Sequence, residues 1–169
     1  MNREILFKAK RVGDGRWVEG YYIYHIKRTP CVFNDSVKPE DEMHVIMHDG
    51  FSDWNMPRDT VTHMIDPDTL CQFTGLYDKN GNRIWEGDIL KGFEYPFLSE
   101  GNHNYYAEVI WFDNVPAFGL YTRKNPRASV AGISAGNTDF IEGFNSDSWI
   151  VIGNIYDNPE FLEGGVANE

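Results

Sequence analysis

Short apolar segments separated by glycine, proline and asparagine run through most of the chain, and many of them alternate with polar residues. Residues 5–12 and 16–26 are two such segments, and the short Gly13-Asp14-Gly15 turn between them indicates a β-hairpin. This pattern favours half-buried strands over helices, because successive side chains of a strand point to opposite faces. Further strands are predicted at residues 44–48, 60–65, 71–77, 83–91, 105–112, 117–122 and 149–152.

Turn residues in the middle of the chain predict how these strands connect. Asn80-Gly81 favours a type I′ hairpin turn, because both residues tolerate positive φ. Glu86-Gly87-Asp88 interrupts the next apolar segment, and its glycine predicts a bend or bulge. Asp66-Pro67-Asp68 follows the first group of strands. We therefore predict an N-terminal β-hairpin region over residues 1–66 and a second domain over residues 67–169.

Helix makes a small contribution to the predicted fold. One helical turn is predicted at residues 39–42, and a short terminal helix is predicted to begin at Pro159 with Asn158 as its cap. The polar stretches 93–104 and 123–139 are predicted to be long connections. The sequence thus predicts a mainly β fold with a small barrel or roll in its C-terminal part, an N-terminal β region and little helix.

Several stretches of the sequence resemble the signatures of the YopX protein family. Residues 72–90 resemble its central signature and residues 152–160 its C-terminal signature, while residues 3–9 and 17–20 fit its opening strand pair. These stretches lie at both ends and in the middle of the chain, so the resemblance spans its whole length. The residues that carry the two long signatures are Gln72, Thr74, Gly75, Asn80, Gly81, Glu86, Gly87, Asp88, Gly153, Asn154, Asn158 and Pro159.

The resemblance has implications for fold and origin. It implies a β-rich protein encoded by bacteriophages, prophages and their hosts, with an SH3-like barrel in the C-terminal part and a more variable N-terminal β region. The family supplies no established activity and no catalytic residues. Cys71 departs from the family pattern, which has glycine before Gln72. A cysteine at positive φ would be strained, so a local difference in backbone is expected there.

Charge is unevenly distributed along this acidic chain. Its net charge is −11, from 26 acidic and 15 basic residues. Residues 1–28 contain seven bases and three acids, a net of +4, whereas residues 35–68 contain nine acids and two bases, a net of −7. Residues 139–169 contain seven acids and no base. Phosphates and anionic membranes repel such a protein, so neither direct nucleic-acid binding nor membrane binding is expected.

The sequence also predicts a cytoplasmic location. No apolar run approaches the roughly 20 residues that cross a bilayer. Residues 1–5 lack the apolar core of a signal peptide. Cys31 and Cys71 are the only cysteines, which is too few for a disulfide scaffold and typical of a reduced compartment.

His44, His48 and Asp49 are weak candidates for a metal site. The two histidines are four residues apart and share a face on either a strand or a helix. Val45 follows His44, so the His-Glu-x-x-His motif of metalloproteases is absent. The two cysteines lie 40 residues apart, which does not match zinc-finger spacing. We therefore expect partly exposed histidines, no stoichiometric metal and no cofactor.

Two further motifs superficially suggest catalysis. Glu86 and Asp88 could form an acidic pair, but an aspartate beside a turn glycine more often bonds its own backbone. Residues 132–136 match the Gly-x-Ser-x-Gly spacing of a nucleophile elbow, yet they lack the preceding strand and following helix that the elbow requires. With no nucleophile and base in one constellation, we expect that the protein is not an enzyme.

The function expected from the sequence is therefore a phage- or prophage-derived interaction or assembly module. Aromatic residues make up 15% of the chain and suit protein interfaces, so a homo-oligomer is expected, with a host or phage protein as a further partner. The basic N-terminal hairpin is expected to dock on an acidic neighbouring surface. An alternative is an acidic inhibitor that imitates DNA and binds a host nucleic-acid-binding protein. A metal-dependent enzyme with a cryptic site is a less favoured alternative.

Overall fold

The computed structural model describes residues 4–30, 36–93, 104–124, 138–140 and 148–161 of the chain. It divides into two compact units, Met1–Gln72 and Phe73–Glu169. Whether residues 1–66 and 67–169 fold as independent domains stays a prediction. Strands dominate both units, as the alternating pattern predicts. In the described residues no helix is both long and apolar enough to cross a membrane.

The first unit is built on an antiparallel meander. Its strands are β1 (Phe7–Lys10), β2 (Trp17–Ile26), β3 (Glu42–Asp49) and β4 (Thr60–Met64), and they lie in the order β4-β3-β2-β1. The first two residues of β5 (Cys71–Tyr77) pair with β1 on its other side. The predicted N-terminal hairpin is confirmed, with Phe7 opposite Gly20. Cys71 is the first residue of β5. In the described segments, Asn55 is the one non-glycine residue with positive φ, so Cys71 lacks the strain that positive φ would cause.

One face of this sheet carries the core of the first unit. Ala9, Ile46 and Ile65 are buried there, and Phe7, Val18, Tyr22 and Leu70 pack around them. A side chain at Gly20 would collide with the carbonyl oxygen of Met47. A residue without Cβ is therefore needed at Gly20 for β2 and β3 to approach each other.

The strands of the second unit are β6 (Arg83–Trp85), β7 (Asp88–Phe93), β8 (Asn104–Trp111), β9 (Phe118–Lys124), β10 (Thr138–Phe140) and β11 (Trp149–Asn154). Five of them form an antiparallel sheet in the order β10-β9-β8-β7-β11. The rest of β5 pairs with the short strand β6, and the predicted bend at Gly87 separates β6 from β7. A buried apolar cluster that includes Leu90, Val109 and Leu120 forms its core.

The structure confirms a mainly β fold and leaves finer details of the prediction open. In the described part, β10 and β11 are the two edges of an open order, so the sheet is not a closed barrel and the SH3-like form is not confirmed. The sequence missed β10, which begins at the end of the predicted connection 123–139 and extends to Phe140. Helix in the described segments is 3-10 helix, and three of these elements are three residues long and begin with proline: Pro39–Asp41, Pro67–Thr69 and Pro159–Phe161. Ser148, just before β11, also has 3-10 conformation.

Candidate interaction surface

The central signature of the sequence builds a hydrogen-bonded turn around Asp78. Asp78 is buried, with 3% of the residue exposed. Its Oδ1 accepts from the backbone N–H groups of Asn80 and Asn82, both at 2.8 Å. Its Oδ2 accepts from the Asn82 amide at 3.0 Å and from the backbone N–H of Val151 in β11 at 3.1 Å. Burial raises the pKa of Asp78, but these hydrogen bonds outweigh burial and hold the pKa below its usual value.

The Gly87 bend is a second structural use of the signature. Gly87 has φ of 75°, and its N–H and C=O bond to Val109 and Ile155 respectively. Asp88 is buried, and its Oδ2 accepts from the backbone N–H of Trp85 at 2.8 Å. The carboxylate of Asp88 therefore stabilises the bend. The structure does not present Glu86 and Asp88 as an exposed acidic pair on a regular strand.

The remaining signature residues also act in turns and strands. Asn154 Oδ1 accepts from the N–H groups of Tyr156 and Asp157, both at 2.9 Å. Asn158 Oδ1 accepts from the N–H of Asn154 at 3.3 Å and lies where a Cβ at Gly153 would be, so it closes this turn as well as preceding the 3-10 helix at Pro159. Four others act within strands or turns: Gln72 pairs with β1, the Thr74 hydroxyl donates to the carbonyl of Ile84, and Gly75 and Gly81 have positive φ.

The structure does not bring the predicted metal candidates together. His44 Nδ1 lies 2.6 Å from the Tyr22 hydroxyl, and its Nε2 lies 3.6 Å from a Glu42 carboxylate oxygen. Burial, together with nearby Tyr24 and Glu42, raises the pKa of Tyr22. Asp49 forms an ion pair with Arg58 at 3.0 Å, and it alternates to the opposite face of β3 from His48.

His48 instead approaches His63, a residue that the sequence did not single out. Their Nε2 atoms lie 3.2 Å apart, and their ring centroids lie 5.2 Å apart. The two residues are on adjacent strands, where the β3–β4 register pairs Ile46 with His63. No group of three or more His, Cys, Asp or Glu side chains within the described ranges is arranged to hold a metal. Residues 132–136, with the serine motif, lie outside the described residues.

An apolar patch covers the other face of the first unit's sheet. Cross-strand pairing places Tyr21 beside Met47, Ile23 beside Val45, and Val45 beside Met64. Val45 is buried, whereas Tyr21 is 53% and Met64 is 46% exposed. We call these five residues the outer patch. Its exposed members surround one buried valine, as in a small interface with a dry centre.

The segment between β3 and β4 exposes further apolar side chains. Phe51, Trp54 and Met56 are 92%, 96% and 65% exposed, and we call them the apolar loop. Hydrogen bonds within the segment hold its backbone, including the bond that Asp53 Oδ1 accepts from the N–H of Trp54 at 2.7 Å. The Ser52 hydroxyl donates to the carbonyl of Met56 at 3.2 Å. Internal hydrogen bonds thus hold the loop in a conformation that exposes large apolar side chains to solvent.

Among the described residues, exposure of this kind is concentrated in the first unit. Of the 13 large hydrophobic residues that are exposed in the described segments, ten lie in Met1–Gln72 and three, Tyr77, Trp111 and Val115, lie in the second unit. Contiguous exposed apolar groups mark interaction sites in soluble proteins, whereas single ones need no explanation. The first unit is therefore the better candidate for binding.

β4 is the outermost strand in the sheet order, beside the apolar loop. Its last residue, Met64, accepts a hydrogen bond from the Val12 N–H on the side away from β3, so the open part of this edge is residues 60–62. Gly50 N–H bonds to the carbonyl of Asp59, and Ile65 N–H bonds to the carbonyl of His44. Because antiparallel pairs alternate between bonded and non-bonded, Val61 and His63 direct their backbone groups towards β3. The backbone N–H and C=O groups of Thr60 and Thr62 therefore point away from β3.

The basic side chains of the N-terminal hairpin are engaged within their own unit. Arg11 and Arg16 form ion pairs with Asp14. Lys8 and Lys10 lie over the ring of Trp17, at 5.1 and 5.5 Å from its centroid. These local contacts reduce the positive charge that the hairpin presents to a neighbour, and the prediction that its bases steer docking is untested.

Comparison with known proteins adds a family match. A family model described as YopX protein matches residues 7–163, which include every described strand. Among solved structures, the chain is similar to the crystal structure of protein EF1440 from Enterococcus faecalis, with 22% sequence identity and a TM-score of 0.46. That similarity covers 96% of this chain and 100% of the other. No curated protein matches the chain.

Proposed function

The chain belongs to the YopX protein family, and we propose that it works without catalysis, as a module that binds protein through the first unit. We propose that the bound protein is a second copy of this chain. The docking surface comprises the β4 edge, the apolar loop and the outer patch. The observation that carries the proposal is an internally bonded loop that leaves Trp54 96% exposed.

The exposed side chains support binding because their burial is favourable. Complete burial of a large apolar side chain stabilises by about 1.5–3 kcal/mol. Trp54 and Phe51 are more than nine-tenths exposed, so almost all of this free energy is still to be gained. Tryptophan is also enriched among the residues that dominate binding energies. Hydrogen bonds already hold the loop backbone, so less conformational entropy remains to be lost when it docks.

The β4 edge supports a second copy as the partner. Residues 60–64 (Thr-Val-Thr-His-Met) contain no acidic, lysine or arginine residue, although the whole chain has a net charge of −11. The net charge of two copies is repulsive, and the β4 strand itself adds no like charges to that repulsion. An exposed edge strand can pair with the same strand of another copy about a twofold axis. The outward-facing groups of Thr60 and Thr62 would supply the new hydrogen bonds.

The proposal also includes the origin, the location and the detailed fold that the sequence predicts. A phage or prophage origin, a cytoplasmic location and an SH3-like second unit are supported by the resemblance and the composition. A host or phage protein would bind to surfaces that the second copy leaves exposed.

A substitution at Thr62 tests the proposed edge. Because the Thr62 N–H points away from β3, Thr62→Pro removes an edge donor and leaves the β3–β4 ladder in place. We expect light scattering at about 50 μM, well above a weak Kd of about 1 μM, to give a dimer for the wild type and a monomer for Thr62→Pro. Thr62→Val retains the N–H and should stay dimeric.

The apolar loop is tested by a matched pair of variants. Trp54→Ala should weaken the dimer, whereas Val115→Ser, which changes an exposed apolar residue of the second unit, should leave it unchanged. Circular dichroism verifies that each variant is folded. A folded wild type that is monomeric at about 50 μM, far above that Kd of about 1 μM, would contradict the proposal and favour the acidic-inhibitor alternative.

A further inference from the structure

We propose that His48 and His63 bind one divalent transition-metal ion, such as Zn²⁺, through their Nε2 atoms. The pair joins β3 and β4 on the core-bearing face of the first unit, away from the outer patch. The proposed metal site rests on the geometry of the two rings and does not depend on the docking of a second copy.

The two rings are spaced for a shared ion. With Zn–N bonds of about 2.05 Å at a tetrahedral angle, two histidine nitrogens lie about 3.3 Å apart and their ring centres about 5.2 Å apart. The observed separations are 3.2 Å for the nitrogens and 5.2 Å for the centroids. Both distances agree with the tetrahedral values within the tolerance of about 0.2 Å that a metal site allows. The two nitrogens are therefore already spaced for one shared ion.

A backbone contact prepares His48 for this role. His48 Nδ1 lies 2.8 Å from the carbonyl oxygen of Asp49, which can only accept a hydrogen bond. The proton of the neutral ring is therefore on Nδ1, and the Nε2 atom is unprotonated, with a lone pair that faces His63. Metal-binding histidines commonly have this carbonyl partner on the other nitrogen, since it fixes both tautomer and orientation.

His63 binds the ion by changing tautomer. Without metal, the Nε2–H of His63 can donate to the lone pair of His48 Nε2. When the ion binds, the proton of His63 is on Nδ1 and the Nε2 lone pair points to the metal. The ring stays neutral, because the proton changes position and the number of protons does not change. Two side chains supply two ligands, and water completes the coordination. Such an open site binds reversibly, so the ion need not remain through purification.

Zinc titration of the untagged full-length protein tests the site. Isothermal titration calorimetry with zinc chloride should give one ion per chain for the wild type. His48→Gln and His63→Gln should each weaken Zn²⁺ binding by more than about tenfold, because loss of a direct ligand costs at least as much as loss of its supporting hydrogen bond. His25→Gln changes an exposed histidine on β2 and should leave the affinity unchanged.

Nitrogen NMR of the histidine rings gives a second readout that needs no variant. Zn²⁺ should shift the Nε2 resonances of His48 and His63 in the wild type and leave the ring nitrogens of His25 unchanged. If either glutamine variant fails to fold, this measurement decides. Equal zinc affinity in the wild type and a folded His48→Gln, His63→Gln double variant would overturn the proposal. Unshifted Nε2 resonances at saturating zinc would also overturn it.

Discussion

Asp78→Asn tests whether the central signature is structural, because it keeps the size of the side chain and removes its charge. The one oxygen of the introduced amide can still accept, but the NH₂ group must replace either Oδ1 or Oδ2. If the NH₂ replaces Oδ2, it faces the Val151 N–H, a fixed backbone donor, and the Asn82 amide, which can turn its oxygen towards the NH₂ and accept. If it replaces Oδ1, it faces two backbone donors, those of Asn80 and Asn82. In either orientation, at least one buried backbone N–H loses its acceptor.

The expected loss of stability follows from these bonds. An unsatisfied buried donor costs about 1–3 kcal/mol, and the bonds that remain become weaker once the acceptor is neutral. We therefore expect Asp78→Asn to lower the free energy of unfolding by about 2–4 kcal/mol. This is a large effect for a substitution that leaves the packed volume unchanged.

Urea unfolding followed by tryptophan fluorescence measures this effect in the second unit. Trp149 lies two residues before Val151 in β11, close to the perturbed bond. The midpoint should fall while the slope with denaturant stays the same. Asp113→Asn is the matched control, since Asp113 is an exposed carboxylate of the same unit, and it should change stability by less than about 0.5 kcal/mol. An equally small change for Asp78→Asn would refute the structural role of the turn.

Three further outcomes are expected. The hydrogen bonds hold the pKa of Asp78 below its unfolded value of about 3.9. The contribution of its charge to stability is therefore complete above that pH and is lost as pH falls through the folded pKa. The free energies of unfolding of the wild type and Asp78→Asn should accordingly converge in acid. Gly87→Ala should destabilise by about 1–2 kcal/mol in urea, because φ there is 75°. Tyr22→Phe removes the hydroxyl at His44 Nδ1 and should cost about 0.5–1.5 kcal/mol by the same assay, without altering the oligomer.

The strands were predictable because local signals specify them. Alternation places β1 to β4 within a few residues of their observed bounds, and Asn80-Gly81 identifies the turn that Asp78 organises. β10 was not predictable, since its three residues form a strand by pairing with β9. Its own sequence, Thr-Asp-Phe, has no distinctive strand pattern.

The His48–His63 pair and the outer patch depend on strand register and tertiary packing, which the local sequence does not specify. His48 and His63 meet through the β3–β4 register, and a shift of one residue would place His63 on the opposite face. The segment between the strands spans residues 50–59, and its length does not specify that register. Both faces of β2 also carry apolar residues, so alternation alone could not show that Tyr21 and Ile23 remain exposed.

Amide hydrogen exchange along β4 tests the proposed self-association most directly. The Thr60 and Thr62 N–H groups point away from β3, whereas those of Val61 and His63 bond to it and serve as internal controls. If second copies pair along this edge, exchange at Thr62 should slow as the concentration rises from about 1 to 50 μM, and the controls should not change. Exchange at Thr62 that is fast and independent of concentration over this range would contradict the account.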